Sequence, residues 1–104
     1  ASAELASILG GMRMADEGAR SLRFAQLLQR ASTTAIQTRF GDAVDGGVHT
    51  AGFYVLVGAR MPSVLFETSY ISNPTDEQRL GADDVRQLVA DAIANAIRAY
   101  REGR

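Results

Sequence analysis

The most informative stretch of the sequence is Gly58-Ala-Arg-Met-Pro-Ser-Val-Leu-Phe-Glu-Thr-Ser-Tyr-Ile-Ser-Asn-Pro-Thr-Asp-Glu77. Its apolar part, Pro62 to Phe66, predicts a strand that ends in the carboxylate Glu67. A short polar loop and a Ser-Asn-Pro sequence follow, and the latter is typical of a helix start. Because ligands in α/β proteins bind beyond the carboxyl ends of the strands, Glu67 is a candidate catalytic residue.

Hydrophobic periodicity predicts helices on both sides of this stretch. In the last helix, apolar residues recur at i, i+3, i+4 and i+7 for four turns. The elements that we expect, in chain order, are a short helix over 3–12 ended by Gly10-Gly11, a helix from Asp16 to Thr38, a loop from Gly41 to Gly47, strands over Gly52–Val57 and Ser63–Thr68, a short helix from Asn73-Pro74 to Leu80-Gly81, and a helix from Asp83 to Tyr100.

The two predicted strands are apolar on both faces, as strands buried between two layers should be. An isolated pair of strands is marginally stable, so these two need further strands beside them and helices on both faces. The sequence therefore predicts an α/β fold in which this α-α-β-β-α-α order forms part of a larger sheet.

Composition narrows the classes of function. The chain has 104 residues, which is enough for a single domain, and a net charge of −1. This charge gives no reason to expect nucleic acid as a partner. The absence of cysteine excludes disulfides, thiolate metal sites and a cysteine nucleophile. No apolar run is long enough to predict a membrane span.

The Glu67 stretch also resembles a family signature. The segments that show this resemblance are Ala51-Gly-Phe-Tyr-Val-Leu-Val57, Met61-Pro-Ser-Val-Leu-Phe-Glu-Thr-Ser-Tyr-Ile-Ser-Asn-Pro74, the pair Asp76-Glu77, and Leu80. Upstream, Ala6-Ser-Ile-Leu9 and Ser21-Leu-Arg-Phe-Ala25 resemble two helices of the same family. On these residues the chain resembles the C-terminal half of a zinc-dependent N-acetylmuramoyl-L-alanine amidase of the cell-wall type.

The resemblance implies a mixed, mostly parallel sheet with helices on both faces, and one Zn²⁺ held by two histidines and one glutamate. Glu67 would take a proton from the zinc-bound water and return it to the leaving amine. The substrate would be peptidoglycan, cut at the amide between N-acetylmuramic acid and L-alanine of the stem peptide. The location would be periplasmic or extracellular, with a role in cell division, and the resemblance allows for an activator protein as a partner.

The chain departs from the family pattern in one respect, and this limits what it can do alone. The family's zinc ligands precede the matched region, and the single histidine, His49, stands where the family does not bind metal. We therefore expect no metal ligand in this chain. Residues 1–104 are predicted to be the C-terminal portion of a single amidase catalytic domain, without the N-terminal half and inactive by themselves. The alternative is a non-catalytic fragment or interaction module that lacks the metal site.

Individual residues have plainer interpretations that stay open. Glu67 could form a structural pair with an arginine such as Arg60, and Asn73 is expected to be a helix N-cap. Asp76 and Glu77 are typical of a solvated helix start, although either could pair with Glu67 in a two-carboxylate glycosidase. No serine lies in a Gly-x-Ser-x-Gly elbow, which argues against a serine hydrolase.

Overall fold

The computed structural model describes residues 2–49, 59–67 and 73–104, without the side chains of residues 6–16. Within these ranges the chain forms three helices: α1 (Ala3–Phe40), α2 (Pro74–Leu80) and α3 (Asp83–Arg101). The predicted boundaries of α2 and α3 are confirmed. Both boundaries follow from local signals, namely a cap and a proline for α2 and an apolar stripe for α3.

Helix α1 is continuous, so the predicted break at Gly10-Gly11 is wrong. A glycine inside a helix weakens it by about 1 kcal/mol relative to alanine but, unlike proline, keeps its backbone N–H donor. Ser2 caps the start, because its Oγ accepts a hydrogen bond from the backbone N–H of Leu5 at 3.1 Å. The helix ends at Phe40, and the residue that follows, Gly41, has a φ of 74°, in the left-handed region that favours glycine.

The predicted α/β sheet is also wrong. Residues 2–49, 59–67 and 73–104 contain no strand, and residues 62–67 have an irregular backbone. A strand is defined by hydrogen bonds to a neighbouring strand. Here Ser63 instead donates its backbone N–H to the Oγ of Ser21 on α1, at 2.9 Å. The other predicted strand, Gly52–Val57, lies outside the described residues.

Helices α1 and α3 pack antiparallel. Near the start of α3, Asp84 meets Arg39 of α1 at 3.2 Å. Near its end, the ring of Tyr100 meets Phe24 edge-on, with ring centroids 5.6 Å apart. The guanidinium of Arg23 lies 4.9 Å from the Tyr100 ring centroid. The whole of α3 therefore lies opposite the second half of α1.

The buried side chains among the described residues all belong to these two helices. They are Leu28 of α1 and Val85, Ala92 and Ala96 of α3. On the same two helices, the apolar side chains of Leu22 and Ile97 are 39% and 44% exposed. None of the helices in the described ranges has the length and apolar character that a bilayer span requires.

Candidate active-site segment and its anchors

Glu67 is an exposed residue at the end of the described segment 59–67. The residues before it alternate in burial, since Val64 and Phe66 are half-buried and Leu65 is 47% exposed. The bond from Ser63 to Ser21 holds this segment against α1 four positions before Glu67. The carboxylate of Glu67 thus lies at the surface, on a segment that is held against α1 at Ser63.

Downstream of Glu67, helix α2 begins as the sequence predicts. Asn73 is the N-cap, and its Oδ1 accepts hydrogen bonds from the backbone N–H groups of Thr75 at 2.9 Å and Asp76 at 3.2 Å. Asp76 and Glu77 lie in the first turn, where negative charge complements the helix dipole. The interpretation of these carboxylates as a helix start is confirmed. Their pairing with Glu67 in a glycosidase stays a hypothesis, as does the pairing of Glu67 with Arg60.

Arg79 of α2 makes contacts that the sequence did not predict. Its guanidinium donates to both carboxylate oxygens of Asp42, at 3.1 and 2.6 Å. It also lies 3.7 Å from the ring centroid of Phe40, which is the last residue of α1. We call this group, Arg79 with Asp42 and Phe40, the Arg79 clamp. A bidentate pair of this kind combines charge with fixed geometry, and it ties α2 to the end of α1.

Electrostatics within the Arg79 clamp favour the ionised pair. The hydrogen bond from Arg79 lowers the pKa of Asp42 below its ordinary value. The same bond raises the pKa of Arg79. The only local signals for the pair were an aspartate directly after the helix end and an arginine in the last turn of a short helix. Neither signal identifies the partner, since the two residues are 37 positions apart.

The loop after α1 folds back along that helix. Ala43 donates its backbone N–H to the side-chain Oε1 of Gln37 at 3.0 Å. Farther along, Asp45 accepts hydrogen bonds from Gln29 at 2.6 Å and from the backbone N–H of Gly47 at 2.8 Å. These two bonds lower the pKa of Asp45, with the Gln29 amide as the larger cause. The loop is thus fixed on the side of α1 that carries Gln29.

His49 is exposed at the end of this loop. Its Nε2 lies 2.8 Å from the carbonyl oxygen of Gly46. Because a carbonyl oxygen only accepts hydrogen bonds, this contact requires a proton on Nε2. Among the residues that the structure describes, no three histidine, aspartate or glutamate side chains come together as a metal site. The described part of the chain therefore does not fit a zinc ion.

Two shallow grooves flank α1. A groove of about 480 Å³ lies between α1 and the loop that contains Asp45, and a groove of about 530 Å³ lies between α1 and α3. Arg30 lines both grooves. Glu67 lines neither of them, so the candidate catalytic carboxylate lies apart from these two surfaces.

Comparison with known proteins gives the family. A family model described as N-acetylmuramoyl-L-alanine amidase matches residues 10–99. This range contains Glu67, the hydrogen bond between Ser63 and Ser21, and the helix cap Asn73. The chain belongs to the N-acetylmuramoyl-L-alanine amidase family. No solved structure matches it. The resemblance that the Glu67 segment suggested is confirmed at the level of the family.

Three relatives illustrate this similarity. The uncharacterized protein YqiI of Bacillus subtilis is 40% identical over 81% of this chain and 38% of its own length. The amidase AmiA of Salmonella typhimurium is 52% identical over 48% of the chain and 17% of its own length. The amidase LytC of Bacillus subtilis is 36% identical over 81% of the chain and 16% of its own length. The chain thus spans less than half the length of each of these three relatives.

Proposed function

We propose that this chain is the C-terminal portion of the catalytic domain of an N-acetylmuramoyl-L-alanine amidase. The observation that carries the proposal is the family match over residues 10–99, which runs through the Glu67 segment. The intact enzyme hydrolyses peptidoglycan, and the bond that it cuts is the amide between N-acetylmuramic acid and L-alanine of the stem peptide.

Glu67 is the general base of this reaction. Its carboxylate takes a proton from the attacking water while the water oxygen bonds to the carbonyl carbon of the lactyl group. The amide C–N bond then breaks, and Glu67 returns the proton to the leaving nitrogen. The products are the muramic acid carboxylate and a peptide with a free L-alanine amino group. Exposure of Glu67 and its position on an anchored segment support this role.

Zinc is the cofactor that the family resemblance implies. The described residues do not fit it, because His49 is engaged with the Gly46 carbonyl and no three-ligand group is present among them. We place the zinc ligands, two histidines and one glutamate, in the N-terminal half of the domain, outside this chain. Bound there, zinc would supply an activated water and a polarised carbonyl.

The partners and the location follow from the same proposal. The substrate is the cell wall, so the protein acts in the cell envelope or outside the cell, and we propose the periplasm in a cell-division role. The N-terminal half of the domain is the first partner, and an activator protein is a further one. The net charge of −1 gives no support for nucleic acid as a partner.

Replacement of Glu67 in the full-length protein tests the proposal. We expect Glu67→Gln to lower kcat on peptidoglycan fragments by at least about 100-fold, because general acid–base catalysis contributes on the order of 10² to 10⁴. Zinc content, measured by mass spectrometry of the purified protein, should not change. Glu77→Gln is the matched control, since it removes one exposed carboxylate from the first turn of α2, and its kcat should stay within about twofold.

Full activity of Glu67→Gln would contradict the role of Glu67. Absence of both zinc and turnover in the wild-type full-length protein would instead favour the alternative, a non-catalytic interaction module.

A further inference from the structure

Helix α2 is too short and too exposed to be stable by itself. It has seven residues, all of them described, and none is buried. Helices shorter than about 12 residues are marginal in water unless other contacts stabilise them. Among the described contacts of α2 are its packing against α3, where Arg86 donates to the carbonyl of Leu80 at 2.6 Å, and the Arg79 clamp at the end of α1.

Among the residues that the structure describes, the Arg79 clamp is a side-chain contact that ties α2 to the end of α1. Arg79 is one of the more protected charged groups, with its side chain 23% exposed against 53% for Asp42. The ring of Phe40 lies against one part of the guanidinium, and Asp42 binds its fork. Stacking and bidentate pairing together fix both the position and the rotation of the guanidinium. The clamp therefore ties the last turn of α2 to the end of α1 and to the loop that follows it.

The segment that carries Glu67 begins at a contact with α1 and ends at the start of α2. Its upstream end is the bond from Ser63 to Ser21, four positions before Glu67. Its downstream end is Asn73, six positions after Glu67, which caps α2. Six residues span at most about 21 Å when extended. A shift of α2 relative to α1 therefore moves one end of this segment while the Ser21 end stays in place.

We propose that Arg79 is a positioning residue for Glu67, acting through the fixed place of α2 on the end of α1. This inference rests on the proposed role of Glu67 as the general base. Arg79 is not a catalytic residue, because its guanidinium is occupied by Asp42 and Phe40. Its contribution is to limit where the carboxylate of Glu67 can lie, and a displacement of about 1 Å can lower a rate by as much as 10²-fold.

Arg39 provides a matched control on the same aromatic ring. Its guanidinium lies 4.9 Å from the Phe40 ring centroid and pairs with Asp84 at 3.2 Å. Arg39 thus resembles Arg79 in its kinds of contact, but its carboxylate partner belongs to α3 and not to the loop that follows α1. A variant at Arg39 removes one ion pair and one cation–π contact and leaves α2 attached.

The experiment compares Arg79→Ala with Arg39→Ala in the full-length enzyme. We expect Arg79→Ala to lower kcat about tenfold with KM unchanged, since substrate contacts are intact and only the placement of the base is loosened. Arg39→Ala should leave kcat within about twofold. Arg79→Lys keeps the charge but loses the bidentate fork, so it should recover only part of the lost kcat.

Hydrogen exchange separates this inference from the proposed function. Amides of residues 63–67 and 74–80 should exchange faster in Arg79→Ala than in the wild type or in Arg39→Ala, whether or not the protein is an amidase. Unchanged exchange in these two ranges overturns the inference, as does an equal loss of kcat in both variants or a change in KM alone. An active Glu67→Gln enzyme overturns the role of Glu67 and with it the basis of the inference.

Discussion

Two arginines and two aspartates join the end of α1 to the helices that follow it. Arg79 pairs with Asp42 at 2.6 Å, and Arg39 pairs with Asp84 at 3.2 Å. Both guanidinium groups lie near the ring of Phe40. Pairing lowers the pKa of each carboxyl group, through Arg79 at Asp42 and through Arg39 at Asp84. Each arginine therefore acts on its own aspartate, and the two pairs can be tested against each other.

Carboxyl titration by NMR tests these pairs. We expect the carboxyl groups of Asp42 and Asp84 to titrate below the ordinary aspartate pKa of about 4. Arg79→Ala should raise the midpoint of Asp42 and leave that of Asp84 in place, and Arg39→Ala should do the reverse. Because the folded pKa of each group is lowered, its stabilising contribution is present above the unfolded pKa and is lost as the pH falls through the folded one. Equal midpoints in all three proteins would contradict the pairing.

Some individual residues of the candidate site could be predicted from the sequence alone. Asn73 and Pro74 were predictable because a helix cap acts within three residues of the chain. The pairing of Arg79 with Asp42 was not, because it joins residues 37 positions apart and the intervening chain must already be folded. The role of Glu67 came from family resemblance and stays a proposal.

Among the elements, α1 shows how glycine acts differently inside a helix and at its end. Gly18 lies within α1, and a Cβ added there would meet nothing within 4 Å. Gly41 has equally open surroundings, but its φ of 74° is one that side-chain-bearing residues rarely adopt. Space is therefore available at both positions, and only the backbone conformation distinguishes them.

Replacing each of these glycines by alanine should change stability in opposite directions. Gly18→Ala should raise the free energy of unfolding by about 0.5–1 kcal/mol, because alanine loses less backbone entropy in a helix. Gly41→Ala should lower it by about 1 kcal/mol, the strain of a left-handed alanine. Chemical denaturation of the two variants measures both values. A stabilising Gly41→Ala, or a destabilising Gly18→Ala, would contradict the helix bounds.

Helices were predictable from sequence where the determining contacts are local. The apolar spacing of α3 and the cap of α2 act within one or two turns, and both helices form where predicted. The strand prediction over Ser63–Thr68 failed for residues 63–67. Apolar β-branched residues favour a strand, yet a strand forms only when a neighbour supplies the other half of each hydrogen bond.

For the whole molecule, the described residues bury little apolar surface. Leu5, Met61 and Leu65 are 45%, 65% and 47% exposed, and the buried group on α1 and α3 is small. Apolar area left in water adds nothing to folding stability. The pairing of α1 with α3 is therefore the main stabilising contact that the structure describes, and α1 also holds the Glu67 segment through Ser21.

The identity of the bond that is cut tests the central claim most directly. Full-length protein would be incubated with purified peptidoglycan, and new alanine amino groups and new sugar reducing ends would both be counted. We expect alanine amino groups without reducing ends from the wild type and neither product from Glu67→Gln. Reducing ends would indicate a glycosidase, and they, or the absence of both products from the wild type, would contradict the amidase assignment.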